Sequence, residues 1–130
     1  MPEQEREFEI VVWGASGFTG RLTAEYLLAE HGASGGLRWA IAGRNREKLE
    51  ALKDELAQET GSSTDALPIL IGDSDDEASL VAMAGRSRVI CSTVGPYAKN
   101  GSGLIKACAE SGTAYCDLTG EVHWMQRMIE

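Results

Sequence analysis

The stretch "WGASGFTGR", Trp13 to Arg21, places Gly14, Gly17 and Gly20 at regular spacing directly after an apolar run. Glycine loses more conformational freedom on folding than any other residue, so such a cluster marks a backbone path that side chains forbid. The preceding "FEIVVW", Phe8 to Trp13, is apolar and rich in β-branched residues, as in a strand buried on both faces. After the glycines, Phe18, Leu22, Tyr26 and Ala29 recur at helical steps. That spacing predicts a helix with those residues on its apolar face, ending near "HGASGG", His31 to Gly36.

The alternation continues along the chain. "LRWAIAG" (residues 37–43) reads as a second strand, and a helix with Leu49, Leu52 and Leu56 on one stripe follows. "LPILIGD" (67–73) is a third strand, with Pro68 at its start, where a missing N–H is tolerated. Ser74 and Glu77 in "SDDE" have the spacing of a capping box for a helix carrying Leu80, Val81 and Ala84 to Gly85. "SRVICSTV" (87–94) is a fourth strand, "GSGLIKACAESG" (101–112) a helix that Asn100 is placed to cap, and "TAYCDLT" (113–119) a fifth strand. "EVHWMQRMIE" (121–130) opens another helix. Strands alternating with helices imply right-handed βαβ units and a parallel sheet. The expected fold is a doubly wound α/β Rossmann sheet of order 3-2-1-4-5, with helices on both faces.

The chain has 130 residues, enough for one domain with a real core and short for an enzyme with a separate substrate domain. No glycine closes the last predicted helix, so residues 1–130 read as the N-terminal fragment of a longer polypeptide. The formal net charge of −8 argues against a nucleic-acid or anionic-membrane surface. No apolar run approaches transmembrane length, and the acidic N-terminus is opposite in charge to a secretory leader. Cys91, Cys108 and Cys116 form no Cys-x-x-Cys pair. These features point to a reducing, cytoplasmic setting, with the cysteines as small buried hydrophobes and no metal site.

In this frame the glycines occupy the first strand-to-helix turn, where unpaired N–H groups and the helix dipole favour an anion. Gly14 would allow the tight turn, Gly17 the approach of a pyrophosphate, and Gly20 the packing of helix on strand. Ser16 and Thr19 offer hydroxyl donors, and Phe18 between them joins the candidate cofactor contacts. The spacing is GxxGxxG rather than GxGxxG, so the loop is one residue longer. A mononucleotide or a flavin could use such a turn too, but no Gly-Lys-Ser/Thr of a P-loop follows.

A dinucleotide site that selects NAD carries an acid at the end of its second strand, for the ribose 2′-hydroxyl. Here Gly43 is followed by Arg44, Asn45 and Arg46. The Arg44 guanidinium matches a 2′-phosphate, which makes NADP(H) the expected cofactor. Asp73, at the end of the third strand, is placed either for the adenine edge or for a turn.

"GASGFTG", "AGRNREKL", "CSTVGPYAKNG" and "YCDLTGE", in this order, resemble the N-terminal domain of saccharopine dehydrogenase-like oxidoreductases. Within that group the chain is most similar to the branch of trans-acting enoyl reductases of bacterial lipid and polyketide pathways. The resemblance implies a domain binding NADP(H), followed by a substrate and homodimerisation domain that residues 1–130 lack. It also implies hydride transfer between NADPH and a small-molecule C=N, C=O or activated C=C group. Thr93, Val94, Gly95, Pro96 and Tyr97 would then line the nicotinamide side, with Gly120 bordering the substrate cleft. Asp117 is as well suited to a structural role, and His123 reads either as an acid/base group or, as is commoner near a helix start, as a surface or structural one; no catalytic residue is assigned. The absence of a Tyr-x-x-x-Lys pair leaves a non-catalytic NADP(H) sensor as the alternative.

Overall fold

A computed structural model of the chain describes residues 6–94, 101–117 and 122–129. Its elements are β1 (Phe8–Trp13), α1 (Phe18–His31), β2 (Trp39–Gly43), α2 (Arg46–Thr60) and β3 (Ile69–Ile71). They continue as α3 (Glu77–Gly85), β4 (Ser87–Ser92), α4 (Ser102–Ser111), β5 (Ala114–Asp117) and α5 (Val122–Ile129). The strands form one sheet in the order β3-β2-β1-β4-β5, parallel at every pairing. This is the doubly wound arrangement expected from the sequence.

Two apolar layers sandwich the sheet, because alternate residues of each strand point to opposite faces. Val12, Trp39 and Ile41 meet Ala24 and Leu28 of α1 and Leu49, Leu52 and Leu56 of α2 on one face. Val11, Trp13, Ala42 and Ile90 meet Leu80 and Met83 of α3 and Leu104 and Cys108 of α4 on the other. The central strand is thus buried on both sides, which is why it reads as a continuous apolar run. The Trp39 indole N–H donates to the Gly32 carbonyl at 2.8 Å, so the largest buried side chain also fixes the end of α1.

At the amino-terminal edge of the sheet the Arg6 guanidinium gathers several carbonyls. It donates to Ala84, Gly85 and Ser87 oxygens at 3.1 Å and to Ser111 oxygen at 2.7 Å. A cation there also faces the negative ends of α3 and α4.

The structure corrects several local expectations. Phe18, Leu22 and Tyr26 are 82%, 50% and 62% exposed, and the buried stripe of α1 is Gly20, Ala24, Leu27 and Leu28. The helix lies so close to the glycine turn that a Cβ at Gly20 would stand 2.1 Å from the Gly14 carbonyl oxygen. Small residues therefore take the inward stripe next to the turn, Leu27 and Leu28 fill it further along, and Phe18, Leu22 and Tyr26 point out. The cap of α3 is Asp76 rather than Ser74: its carboxylate accepts from the Ser79 N–H at 3.3 Å. Val81 on that helix is exposed, and Met83 is buried in its place. The cap position of α4 falls on Gly101, which has no side chain to use; Asn100 lies outside the described residues. Of the three cysteines only Cys108 is fully buried; Cys91 is half-buried and Cys116 exposed.

Candidate functional site

A cleft of about 400 Å³ opens at the carboxyl-terminal edge of the sheet, within the size range of small-molecule sites. In a doubly wound sheet this edge is where ligands bind, at the point where strand order reverses between β1 and β4.

The glycine turn forms one wall. Gly14 has a φ of +85°, a conformation that side chains rarely adopt, and a Cβ on it would stand 2.5 Å from Val94 Cγ2. The N–H groups of Gly14 and Ala15 donate to the Ala42 carbonyl at 2.9 and 3.2 Å, anchoring the turn to β2. From the other side, the Thr93 N–H donates to the Trp13 carbonyl at 3.0 Å. The Thr93 hydroxyl reaches the Trp13 and Gly14 carbonyls at 2.9 and 3.2 Å. The proton of that hydroxyl is spent on the turn, and only its lone pairs remain for the cleft.

Gly17 caps α1 without a side chain, and no acidic residue stands in the first turn. The capping of α2 and α3 differs: Asn45 accepts from the Lys48 N–H, Asp76 from the Ser79 N–H, and each helix has a glutamate in its first turn. The amino end of α1 therefore keeps its positive partial charge and no side chain accepts from its first N–H groups. A Cβ on Gly17 would meet nothing closer than the Gly14 oxygen at 3.4 Å, so the protein itself does not require a glycine there.

Arg44 also lines the cleft, exposed, in the bend between β2 and the Asn45 cap. At the end of the neighbouring strand β3, the Asp73 carboxylate accepts from the Asp75 N–H at 2.9 Å, while the Asp73 N–H donates to the Ser79 hydroxyl at 3.0 Å. The turn after β3 is thereby rigid, with carboxylate lone pairs left over. The floor is Trp13, whose ring lies 3.2 Å from where a Cβ on Gly72 would be.

Of the residues singled out in the sequence, Gly14, Ser16, Gly17, Arg44, Asp73, Thr93 and Val94 come together around this cleft. Phe18, Thr19, Gly20 and Asn45 do not line it. Phe18 points to solvent, Gly20 is packed beneath the turn, and the Asn45 side-chain oxygen caps α2. Gly95, Pro96, Tyr97 and Gly120 lie outside the described residues, and the side chain of His123 is likewise not described. Trp13, Gly43, Ser74 and Asp75 also line the cleft and were not anticipated. The second aspartate of "SDDE", Asp76, stands three residues before Ser79 and is the signal that the cap lies beyond Ser74, which leaves Ser74 and Asp75 to the cleft. Asp117, at the end of β5, accepts from the Tyr115 hydroxyl. Among the described residues no group of three His, Cys, Asp or Glu side chains could hold a metal ion, and no helix is long and apolar enough to cross a membrane.

The strand order, the glycine turn and the cleft at the carboxyl edge define a Rossmann-type nucleotide-binding domain. Residues 10–128 match the model of the saccharopine dehydrogenase NADP binding domain, and the chain belongs to that family. NADP(H) is accordingly its cofactor. The chain is 45% identical over 130 residues to a Mycobacterium tuberculosis protein named as a candidate trans-acting enoyl reductase. It is 41% identical to the trans-acting enoyl reductase of Mycobacterium leprae. Both alignments take in 100% of this chain and 29% of the relative, so the chain spans under a third of their length. Among solved structures, apo saccharopine dehydrogenase (L-Glu forming) from Saccharomyces cerevisiae superposes with a TM-score of 0.62 at 16% identity, over 94% of this chain and 24% of that one. An isoflavone reductase gives 0.59 at 20% identity, over 94% of this chain and 43% of that one. AtPrR2 with NADP+ and (+)pinoresinol gives 0.57 at 20% identity, over 87% of this chain and 36% of that one. These distant likenesses bear on the fold.

Proposed function

We propose that the chain is the cofactor-binding domain of an NADPH-dependent oxidoreductase acting on a C=N, C=O or activated C=C group of a small molecule. NADPH, when bound, supplies the hydride, and the chain's own residues bind and orient it. The amino end of α1 and the backbone of Ser16 and Gly17 would hold the pyrophosphate, with the Ser16 hydroxyl as a further donor. Gly17 leaves room there that the protein does not need for itself. Arg44 would take the 2′-phosphate, and the Asp73 carboxylate would accept from the adenine amino group. Thr93 and Val94 press the glycine turn into place, and Gly95, Pro96, Tyr97 and Gly120 would continue the wall toward the nicotinamide. Substrate and homodimer contacts belong, on this reading, to segments of the longer relatives outside the matched 29%.

The observation that carries the reading is a side-chain-free helix start facing the same cleft as Arg44, an arginine with no ion pair among the described residues. Two anion sites in one cleft suit a ligand with a pyrophosphate and a separate phosphate. Calorimetric titration with NADPH and NADH tests it. The wild type should bind NADPH more tightly, and Arg44→Ala should lose about 10- to 100-fold for NADPH, the worth of a charge-assisted contact. NADH affinity should change little. Equal losses for both cofactors would remove the 2′-phosphate from Arg44.

A further inference from the structure

The two cysteines nearest the carboxyl edge of the sheet stand side by side. Cys91 of β4 and Cys116 of β5 are register partners in a parallel pair, so their side chains project from the same face. The partners one step back, Ile90 and Tyr115, pack into the core beneath α3 and α4. Cys91 and Cys116 therefore face the other way. The apolar layer on that face is built by α1, α2 and strands β1 to β3, and includes no residue of β4 or β5. Cys116 is exposed and Cys91 half-buried.

We propose that Cys91 and Cys116 form a dithiol site that hydrogen peroxide converts to an intramolecular cross-strand disulfide. Direct partners on adjacent strands lie about 4.8 Å apart, within the Cα separations that a disulfide spans. Cys116 is the accessible sulfur and reacts first. Its sulfur attacks one peroxide oxygen, the O–O bond breaks, and a sulfenic acid and water result. The Cys91 sulfur then attacks the Cys116 sulfur; the S–S bond forms, the S–O bond breaks, and a second water leaves with the remaining thiol proton. Two thiols give up two electrons and two protons, and one peroxide becomes two waters.

Burial, and then the neighbouring Cys116, push the Cys91 thiol up to about 11. Cys91 therefore holds its proton at neutral pH and is not the first sulfur to react. Cys108 is buried in the opposite layer and has no part in the pair. The site is independent of the cofactor reading and would stand if that reading failed.

The experiment treats the purified protein with stoichiometric hydrogen peroxide, then counts thiols after unfolding and maps peptides. A double digest with trypsin and a glutamate-specific protease separates Cys108 from Cys116 at Glu110. The expected result is loss of two of the three thiols and a linked peptide joining Cys91 to Cys116 within one chain. Cys91→Ser, given a second equivalent of hydrogen peroxide, should instead let Cys116 proceed past the sulfenic acid to the sulfinic acid. Wild-type protein that carries Cys116 as sulfinic acid beside a free Cys91 thiol overturns the proposal. So does a disulfide that joins two chains, or one that includes Cys108. The wild-type map decides the matter even if the serine variant does not fold.

Discussion

Gly14, Gly17 and Gly20 look equivalent in the sequence, and the structure gives each a different reason. Gly14 is held at positive φ against Val94, and Gly20 has no room for a Cβ above the Gly14 carbonyl. Gly17 has ordinary dihedrals and no protein neighbour within 3.4 Å of an added Cβ. Gly20→Ala should therefore destabilise the protein by about 3 kcal/mol or more, since its obstacle is backbone. Gly17→Ala should cost less than about 1 kcal/mol in urea denaturation, the price of a poorer helix cap. It should nonetheless weaken NADPH in calorimetry, because the methyl group occupies space left for the pyrophosphate. Unchanged NADPH affinity in Gly17→Ala would move the pyrophosphate elsewhere. The motif and Arg44 were legible because a turn between strand and helix is a local event. The separate duties of the glycines were not, because Val94 and Thr93 arrive from a strand some 80 positions away. Titration offers a check on burial as well. The Cys108 thiol is pushed by burial from its ordinary 9.0 up to about 11. The folded state then holds this proton more tightly than the unfolded one. Its contribution should be complete below pH 9 and be lost as pH rises through 11. Denaturation at pH 7 and pH 10 should show the decline, and Cys108→Ala should make it shallower.

The helices show where periodicity informs and where it misleads. In α2 a single leucine stripe stands against charge on every other side, and Leu49, Leu52 and Leu56 are all buried. α1 offers two stripes, one of Phe18, Leu22 and Tyr26 and one of Gly20, Ala24, Leu27 and Leu28, and spacing alone prefers the first. Contact with the glycine turn reverses that preference, since Gly20 has no room for a Cβ beside the Gly14 carbonyl, and Ala24, Leu27 and Leu28 follow it on the same inward face. Arg21, at the end of the opening motif, reinforces the choice by pairing with Glu55 and Glu59 of α2. The two helices therefore predict different mutational costs. Leu56→Ala should lose about 2–5 kcal/mol in urea denaturation, and Leu22→Ala, half exposed on α1, about 0.5 kcal/mol or less. Similar losses at the two sites would mean that the α1 stripe is buried after all. The same competition of local signals displaced the α3 cap from Ser74 to Asp76 and so placed Ser74 in the cleft.

The sheet order puts β1 at the centre, between a neighbour close in sequence and one far from it. Its pairing with β2 joins residues about 30 apart, whereas its pairing with β4 joins residues about 80 apart. The topology was readable because each βα unit is short and right-handed, leaving few alternatives for the chain. The cleft depends on the distant pairing, since Thr93 reaches the glycine turn only once β4 has docked. The two apolar layers differ in the same way. Among the described residues, the layer under α1 and α2 draws its members from residues 10–69, while the other needs both halves of the chain. During synthesis the first layer can close while β4 is still inside the ribosome. For that interval β1 presents a bare row of N–H and C=O groups to any strand that passes. The nascent chain is thus most prone to aggregation in the interval before β4 docks, and the strand that completes the cofactor cleft is also the one that ends this exposure.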